Sequence, residues 1–326
     1  MIEIGILGAA SIAKNRFLPA LEHVPNVRCR HLAVREESER SLAMAKEFGL
    51  HVTTGYESLI DNPEVDALYL PLPPALHFEA AMAALEAGKH VFLEKPLTLN
   101  GEEARILLKR AQKKNLVVHE NYMFLYHRQW TKLQQVWQDL APGPLRLIRS
   151  SFCFPKRGPN DFRYQKDLGG GALLDAGGYV ARAALDLLED PKVLSAESFV
   201  DPQYGVDTYG TFTLSGTKGE LFQGFYGMDN AYQCTLELHG ARALLTTDRI
   251  YTSPPEHEAR AVSSSPKGQE EVSLGADNAF AQSLAHFCTL MDAPALRLKH
   301  HQTLLRQQAL LDELRAASKG NKPCRK

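Results

Sequence analysis

Cysteine is scarce in this chain: five in 326 residues, Cys29, Cys153, Cys234, Cys288 and Cys324, scattered and never in a C-x-x-C pair. An odd, dispersed set excludes a disulfide framework and a cysteine-built zinc site. The twelve histidines are equally spread. The one adjacent pair, His300-His301, cannot share a helix face and reads as surface. No metal site is expected. A surplus of one charge is missing too, with 37 Lys and Arg against 38 Asp and Glu and a net charge of -1. That removes the electrostatic case for nucleic acid or an anionic membrane as partner. The basic cluster Lys109-Arg110 with Lys113-Lys114 reads as the solvated face of a helix. No apolar run approaches the roughly 20 residues that cross a bilayer. No basic leader or cleavage site precedes the first strand-like segment, so the expectation is a cytoplasmic protein.

What is present is an ordinary globular composition, 44% hydrophobic and 23% charged, long enough for about two domains at roughly 150 residues each. In the first third, short apolar runs alternate with helical patterns. The strand candidates are Ile2–Leu7, Val27–Val34, Val65–Leu72, His90–Leu93 and Leu116–His119; Phe78–Ala87 and Glu102–Lys114 are the clearest helices. Such alternation indicates βαβ units and a doubly wound parallel sheet. After Asn121 the texture changes. A helix over His127–Leu140 precedes the break Pro142-Gly143-Pro144, followed by a strand over Leu145–Pro155 and a helix opening after Gly169-Gly170-Gly171. Closely spaced runs at Val193–Val200, Thr208–Leu214, Glu220–Tyr226, Gln233–Leu238 and Ala243–Thr247 predict an antiparallel meander. The polar stretch Glu256–Leu274 reads as a loop, Asn278–Met291 and His300–Ala317 as helices, and the tail from Lys319 as frayed. The expected domains are residues 1–121, a Rossmann-type α/β unit, and 122–326, an α+β unit on a large, mainly antiparallel sheet.

The first strand runs into Gly8-Ala9-Ala10-Ser11-Ile12-Ala13. As G-x-G-x-x-G/A this reads Gly8, Ala10 in place of the second glycine, then Ala13. The pattern serves a dinucleotide: a tight turn, close backbone approach to the pyrophosphate, and a helix N-terminus facing the phosphates. The competing reading is a structural strand–helix turn that binds nothing. After the second strand, where an acidic residue would bind a ribose 2′-OH, stand Arg35 and Glu36. Arg35 at that position suits a 2′-phosphate and favours NADP; a one-residue shift brings Glu36 there and favours NAD.

Two further stretches carry chemistry. Glu94-Lys95-Pro96 follows the strand His90–Leu93, and ligands of open parallel sheets lie beyond the strands' carboxyl ends. Pro96 restricts Lys95 to an extended backbone and admits a cis bond. A partly desolvated lysine gives up its proton more readily, here to a developing alkoxide. The second stretch is Gly169 to Tyr179, where a helix would set Asp175 and Tyr179 four apart on one face. A nearby cation would make the phenol more acidic, and the carboxylate could orient the cation or a sugar hydroxyl. The bland alternative is a helix start with a dipole-complementing Asp and a core Tyr.

Together these stretches resemble the glucose–fructose oxidoreductase, inositol dehydrogenase and rhizopine-catabolism (Gfo/Idh/MocA) family. The matching pieces are Gly5 to Ala13, Pro71-Leu72-Pro73 with His77, Ala84 to Val91, Glu94-Lys95-Pro96 and Gly169 to Tyr179. The resemblance implies a Rossmann domain, then a domain whose open sheet face forms a homodimer or homotetramer contact. It implies Lys95 as catalytic, Asp175 in the substrate site, and a cofactor site made by Gly8, Ala10, Ser11, Ile12, Arg35, Leu72, Pro73, His77, Glu94 and Lys95. The family's D-x-G-x-H ends here in Tyr179 instead of histidine. That is similar to the branch of nucleotide-sugar 3-ketoreductases, as are Glu120 to Leu125 and Asp161-Phe162-Arg163-Tyr164. The expectation is therefore an NADPH-dependent reductase of a keto group on a sugar, read as nucleotide-linked, with Lys95 or Tyr179 giving the proton. A sugar or cyclitol dehydrogenase is the rival enzyme, and a nucleotide-sensing regulator the rival class.

Overall fold

A computed structural model describes residues 1–318; the tail expected to fray lies outside the described residues. The chain divides into two compact units, Met1–Asn121 with Phe280–Leu305, and Tyr122–Ala279 with the helical segment from Arg306.

The first unit is built on β1 (Ile2–Leu7), β2 (Val27–Val34), β3 (His51–Thr54), β4 (Ala67–Leu70), β5 (His90–Leu93) and β6 (Val118–Glu120). Every neighbouring pair is parallel, in the order β3-β2-β1-β4-β5-β6. The order reverses between β1 and β4, the crevice where open α/β sheets bind ligands. Leu68, Leu70, Val91 and Leu93 pack with Ala81, Ala84, Leu85, Leu107 and Leu108 of the flanking helices, so these strands read as unbroken apolar runs. The helix Gly101–Lys114 starts at Asn100, whose side chain accepts the Glu103 N–H at 3.0 Å, with acids in its first turn and lysines in its last. The sequence reading did not mark β3 or the helix Glu39–Phe48, which Ser38 and Ser41 open with a reciprocal capping box.

The segment from Phe280 also belongs to this unit. Phe280 lies against the rings of Phe17, Tyr69 and Phe92 at 5.8–6.2 Å. Against expectation, His300 and His301 are both buried. His300 stacks on His119 with ring centroids 5.0 Å apart, and His301 Nε2 accepts the Val118 N–H at 3.2 Å. Adjacent helix residues do diverge, but here both directions meet protein. His90 Nδ1 likewise accepts from Val117 N–H at 3.0 Å. Burial, aided by the Arg297 charge, pushes His90 and His301 down to about 4. The unfolded chain, with these groups near 6.5, then binds more protons as pH falls. Stability of this unit should therefore drop from about pH 6.5 towards pH 4, by a few kcal/mol from the two groups together. Amide exchange at Val117 and Val118 measures it. Protection unchanged from pH 7 to 4.5 would show that neither ring resists its proton.

The second unit carries β7 (Leu145–Cys153), β8 (Lys192–Val200), β9 (Asp207–Ser215), β10 (Leu221–Gly227), β11 (Gln233–Gly240), β12 (Leu244–Thr247), β13 (Ala259–Ser265) and β14 (Gly268–Gly275). They form one sheet in the order β14-β13-β12-β11-β7-β10-β9-β8, antiparallel except for β7 with β10. The stretch Glu256–Leu274, read as a loop, is thus corrected to an edge hairpin. Its covered side holds Ala259, Ala261 and Ser263, too small and polar to give a hydrophobic alternation. Along β7 to β11 one face is buried and the other presents Arg149, Thr211, Gln223 and Glu237. Among the described residues no helix is long and apolar enough to cross a membrane.

Candidate active site

In the first unit the fingerprint turn has the backbone a dinucleotide loop requires. Gly8 has φ +100°, and a Cβ there would press on Leu72 Cδ2 at 3.1 Å, so only glycine suits the position. Its N–H donates to Ala33 O at 2.8 Å, and Ala10 N–H returns to Gly8 O at 3.0 Å. The chain enters a helix at Ser11-Ile12, where the first N–H groups lack intrahelical partners. The residues present fit a dinucleotide phosphate. Arg35 is exposed just beyond β2, its guanidinium carbon 6.0 Å from the Tyr56 ring centre. The sequence reading overlooked Arg40, whose Nη2 donates to Ser11 Oγ at 3.0 Å. A second cation five residues after Arg35, at the start of the next helix, was the available signal.

Lys95 is half-buried in an otherwise buried turn with a cis Lys95-Pro96 bond, and three buried side chains hold that turn. Glu94 accepts from Tyr69 Oη at 2.8 Å and from Asn121 Nδ2 at 3.0 Å. Burial drives the Glu94 carboxyl above its ordinary value, against the pull of those donors. Glu120 accepts the Leu97 N–H at 2.6 Å. His77 places Nδ1 2.7 Å from Pro96 O and Nε2 2.9 Å from Leu72 O. Burial lowers its basicity, with the two carbonyls opposing. A neutral imidazole has one N–H, so it donates to one of these two carbonyls and packs its other nitrogen against the second, lying between the Pro71-Leu72-Pro73 loop and the Lys95 turn; Pro73 stays half-buried at the edge of that loop. Ser283 extends the brace, donating to Asn121 Oδ1 at 2.8 Å. Of these partners Tyr69 and Ser283 were not singled out by sequence, being a strand aromatic and a helix serine 25 or more residues away.

In the second unit the glycine run does not open an ordinary helix. Leu173–Gly177 is a π-helical turn, and the α-helix runs over Gly178–Leu187. The wider turn means that Asp175 and Tyr179 do not follow the four-residue spacing of one α-helical face. Gly171 has φ +126°, and a Cβ there would collide with Asp207 Oδ1. Asp207 in turn accepts the Leu173 N–H at 2.7 Å. Asp175 is buried and paired with Arg163 Nε at 2.6 Å, while Arg163 Nη1 reaches Asp161 Oδ1 at 3.1 Å. Burial works against the Arg163 charge, but Asp175 and then Asp161 outweigh it and hold the guanidinium above its ordinary value. Tyr179 is buried among Tyr122, Phe152, Tyr251 and Phe124, with ring centres 5.0–5.9 Å away. The rings of Tyr122 and Phe152 stand edge to face with the phenol and fix the direction of its ring. Among the described residues no group of three or more His, Cys, Asp or Glu could hold a metal.

A family model for the oxidoreductase family with NAD-binding Rossmann fold matches residues 2–122, and one for the GFO/IDH/MocA C-terminal domain matches residues 130–246. The chain is 36% identical over 321 residues to a dTDP-3,4-didehydro-2,6-dideoxy-alpha-D-glucose 3-reductase of Saccharopolyspora spinosa, covering 96% of each. It is 39% identical over 289 residues to a reductase of the same name from Streptomyces violaceoruber, covering 88% of this chain and 84% of that one. Among solved structures, a 3-ketoreductase from Actinomadura kijaniata in complex with NADP and TDP-benzene matches with a TM-score of 0.93 at 34% identity, over 97% of this chain and 98% of that one. With a model of the family on each part and relatives spanning nearly its whole length, the chain belongs to the Gfo/Idh/MocA oxidoreductase family.

Proposed function

We propose that this protein is an NADPH-dependent ketoreductase acting on a nucleotide-linked 3-keto deoxysugar. The observation that carries the reading is Tyr179, a buried phenol where the family's histidine would stand, in a chain similar throughout to reductases of dTDP-linked keto sugars. A histidine poised near neutral pH suits reversible oxidation of polyols; a phenol suits giving a proton to a ketone oxygen.

Gly8, Ala10, Ser11 and Ile12 would hold the cofactor's diphosphate, Arg35 with Arg40 its 2′-phosphate, and Leu72, Pro73 and the Glu94-Lys95 turn its nicotinamide half. His77 acts by holding two of those loops together. Bound NADPH supplies the hydride. Lys95 Nζ or Tyr179 Oη delivers the proton to the ketone oxygen as negative charge grows there. Asp175, held by Arg163, orients a sugar hydroxyl. A second copy of the chain covers the open face of the eight-stranded sheet, where Tyr209 and Leu221 stand about two-fifths exposed, giving a homodimer or homotetramer. The NADPH pool places the reaction in the cytoplasm.

The test is NADPH consumption with dTDP-3,4-didehydro-2,6-dideoxy-glucose, set against NADP reduction with inositol or a free aldose. Turnover only in the second assay would overturn the reading in favour of a dehydrogenase. Arg35→Ala should weaken NADPH about tenfold and leave NADH nearly unchanged; equal losses in a fluorescence titration would remove Arg35 from the 2′-phosphate.

A further inference from the structure

Three turns meet at the carboxyl ends of β1, β2 and β3, with β2 in the middle. Gly8 N–H donates to Ala33 O at 2.8 Å, and Gly55 N–H donates to Val34 O at 2.9 Å. These two bonds set the fingerprint turn on one side of Arg35 and the turn after β3 on the other. Tyr56 follows Gly55 and has a fixed backbone, because its carbonyl accepts the Leu59 and Ile60 N–H groups at 3.1 and 3.0 Å. Its ring packs against the core cluster that holds Leu7, Leu59 and Ile60. Its hydroxyl lies at the fingerprint turn, 3.7 Å from where a Cβ on Gly8 would stand. The Arg35 guanidinium carbon is 6.0 Å from the centre of the same ring. Burial raises the phenol above its ordinary value, and the Arg35 charge opposes that rise. Arg35 is exposed, while Gly8, Ala10 and Tyr56 are half-buried, so a ligand reaches all of them from solvent.

An exposed arginine side chain is rich in rotamers and loses that freedom when it binds. A ring attracts a cation at about this distance, so part of the ordering is done before a ligand arrives. We propose that Tyr56 is a positioning residue for coenzyme selection, its ring seating the Arg35 guanidinium beside the fingerprint turn, where it meets the 2′-phosphate of NADPH. The inference deepens the role proposed for Arg35 and rests on it; it does not depend on which sugar is reduced.

The experiment titrates NADPH and NADH, followed by fluorescence and without any sugar, into the full chain and its variants. These are Tyr56→Leu, Tyr56→Phe, Arg35→Ala and the double Arg35→Ala/Tyr56→Leu, with folding checked by circular dichroism. Tyr56→Leu fills the site without an aromatic face and should weaken NADPH about three- to fivefold, with NADH within about 1.5-fold of wild type. Tyr56→Phe, which keeps the ring, should stay nearer wild type than Tyr56→Leu does. The double variant should bind NADPH no more weakly than Arg35→Ala alone, since Tyr56 acts through that guanidinium. An equal fall for both coenzymes in folded Tyr56→Leu overturns the proposal, because the ring would then serve general structure. Losses that add in the double variant overturn it too, and so does a phenylalanine variant that falls as far as leucine. Should Tyr56→Leu not fold, Tyr56→Met is read by the same split. If Arg35→Ala is selective for NADPH and Tyr56→Leu is not, this inference fails and Arg35 keeps its role. If Arg35→Ala lowers both coenzymes equally, the role of Arg35 fails and takes this inference with it. Neither result touches the ketone reduction, which the sugar assays read separately.

Discussion

Lys95→Ala should leave NADPH binding nearly intact and lower turnover on the order of 10²–10⁴-fold, the scale of a lost proton-transfer group. The separation of binding from turnover follows from how the turn is held. Its backbone is fixed by Glu120 on the Leu97 N–H, by His77 on Pro96 O, and by Tyr69 and Asn121 on Glu94. None of these hydrogen bonds is made by the Lys95 amine, so its removal takes away the proton and leaves them in place, although its charge also acts on Glu94 and His77. Lys95→Arg sharpens the test. If Lys95 only supplied positive charge, arginine would restore much of the rate. If it gives a proton, arginine should be nearly as slow as alanine, because a guanidinium does not let its proton go. Single-turnover rates with bound NADPH separate these cases. A drop in kcat smaller than about tenfold would pass the donor role to Tyr179, to be tried as Tyr179→Phe.

The parts of the molecule that a linear reading reaches are those where one local cause acts alone. β4 and, from Val91, β5 are buried on both faces, so their sequences are continuous apolar runs, and Gly8 is demanded by its own φ. β3, His51-Val52-Thr53-Thr54, is a sheet edge with no fully buried residue, and nothing in its composition separates it from a loop. β13 alternates in and out, but alanine and serine on its covered side provide little contrast. Ser150 and Thr235 of the sheet, by comparison, are polar residues within strands whose apolar neighbours are plain. The buried histidines fail for another reason. His300 and His301 look solvated until Phe280–Leu305 packs with the first unit, and no periodicity in a helix states which unit it joins. The same limit applies to the candidate site. Lys95, Asp175 and Tyr179 stand in short motifs. Arg163, Tyr69 and Ser283 act across 12 to more than 160 residues, and only the folded chain joins those positions.

Arg163→Ala should destabilise the second unit by about 2–4 kcal/mol, somewhat less than for a fully buried pair, because the arginine side chain retains 23% of its exposure. The cost is set less by the lost attraction than by what remains. Asp175, with a side chain only 9% exposed, would keep its carboxylate in a place where water replaces the guanidinium poorly. That account makes a second, independent demand. Adding Asp175→Asn to Arg163→Ala should recover about 1–3 kcal/mol relative to the sum of the single changes, since the buried charge that faced Arg163 is gone. Urea unfolding followed by tryptophan fluorescence reads the right part of the molecule, because both tryptophans, Trp130 and Trp137, lie in the second unit. Strict additivity in the cycle would mean that the two side chains touch without depending on each other. Asp175 would then have to be aimed by the π-helical turn and the Asp207 contact to Leu173, and Asp207→Ala, not Arg163→Ala, would be the change that disorders the proposed substrate site.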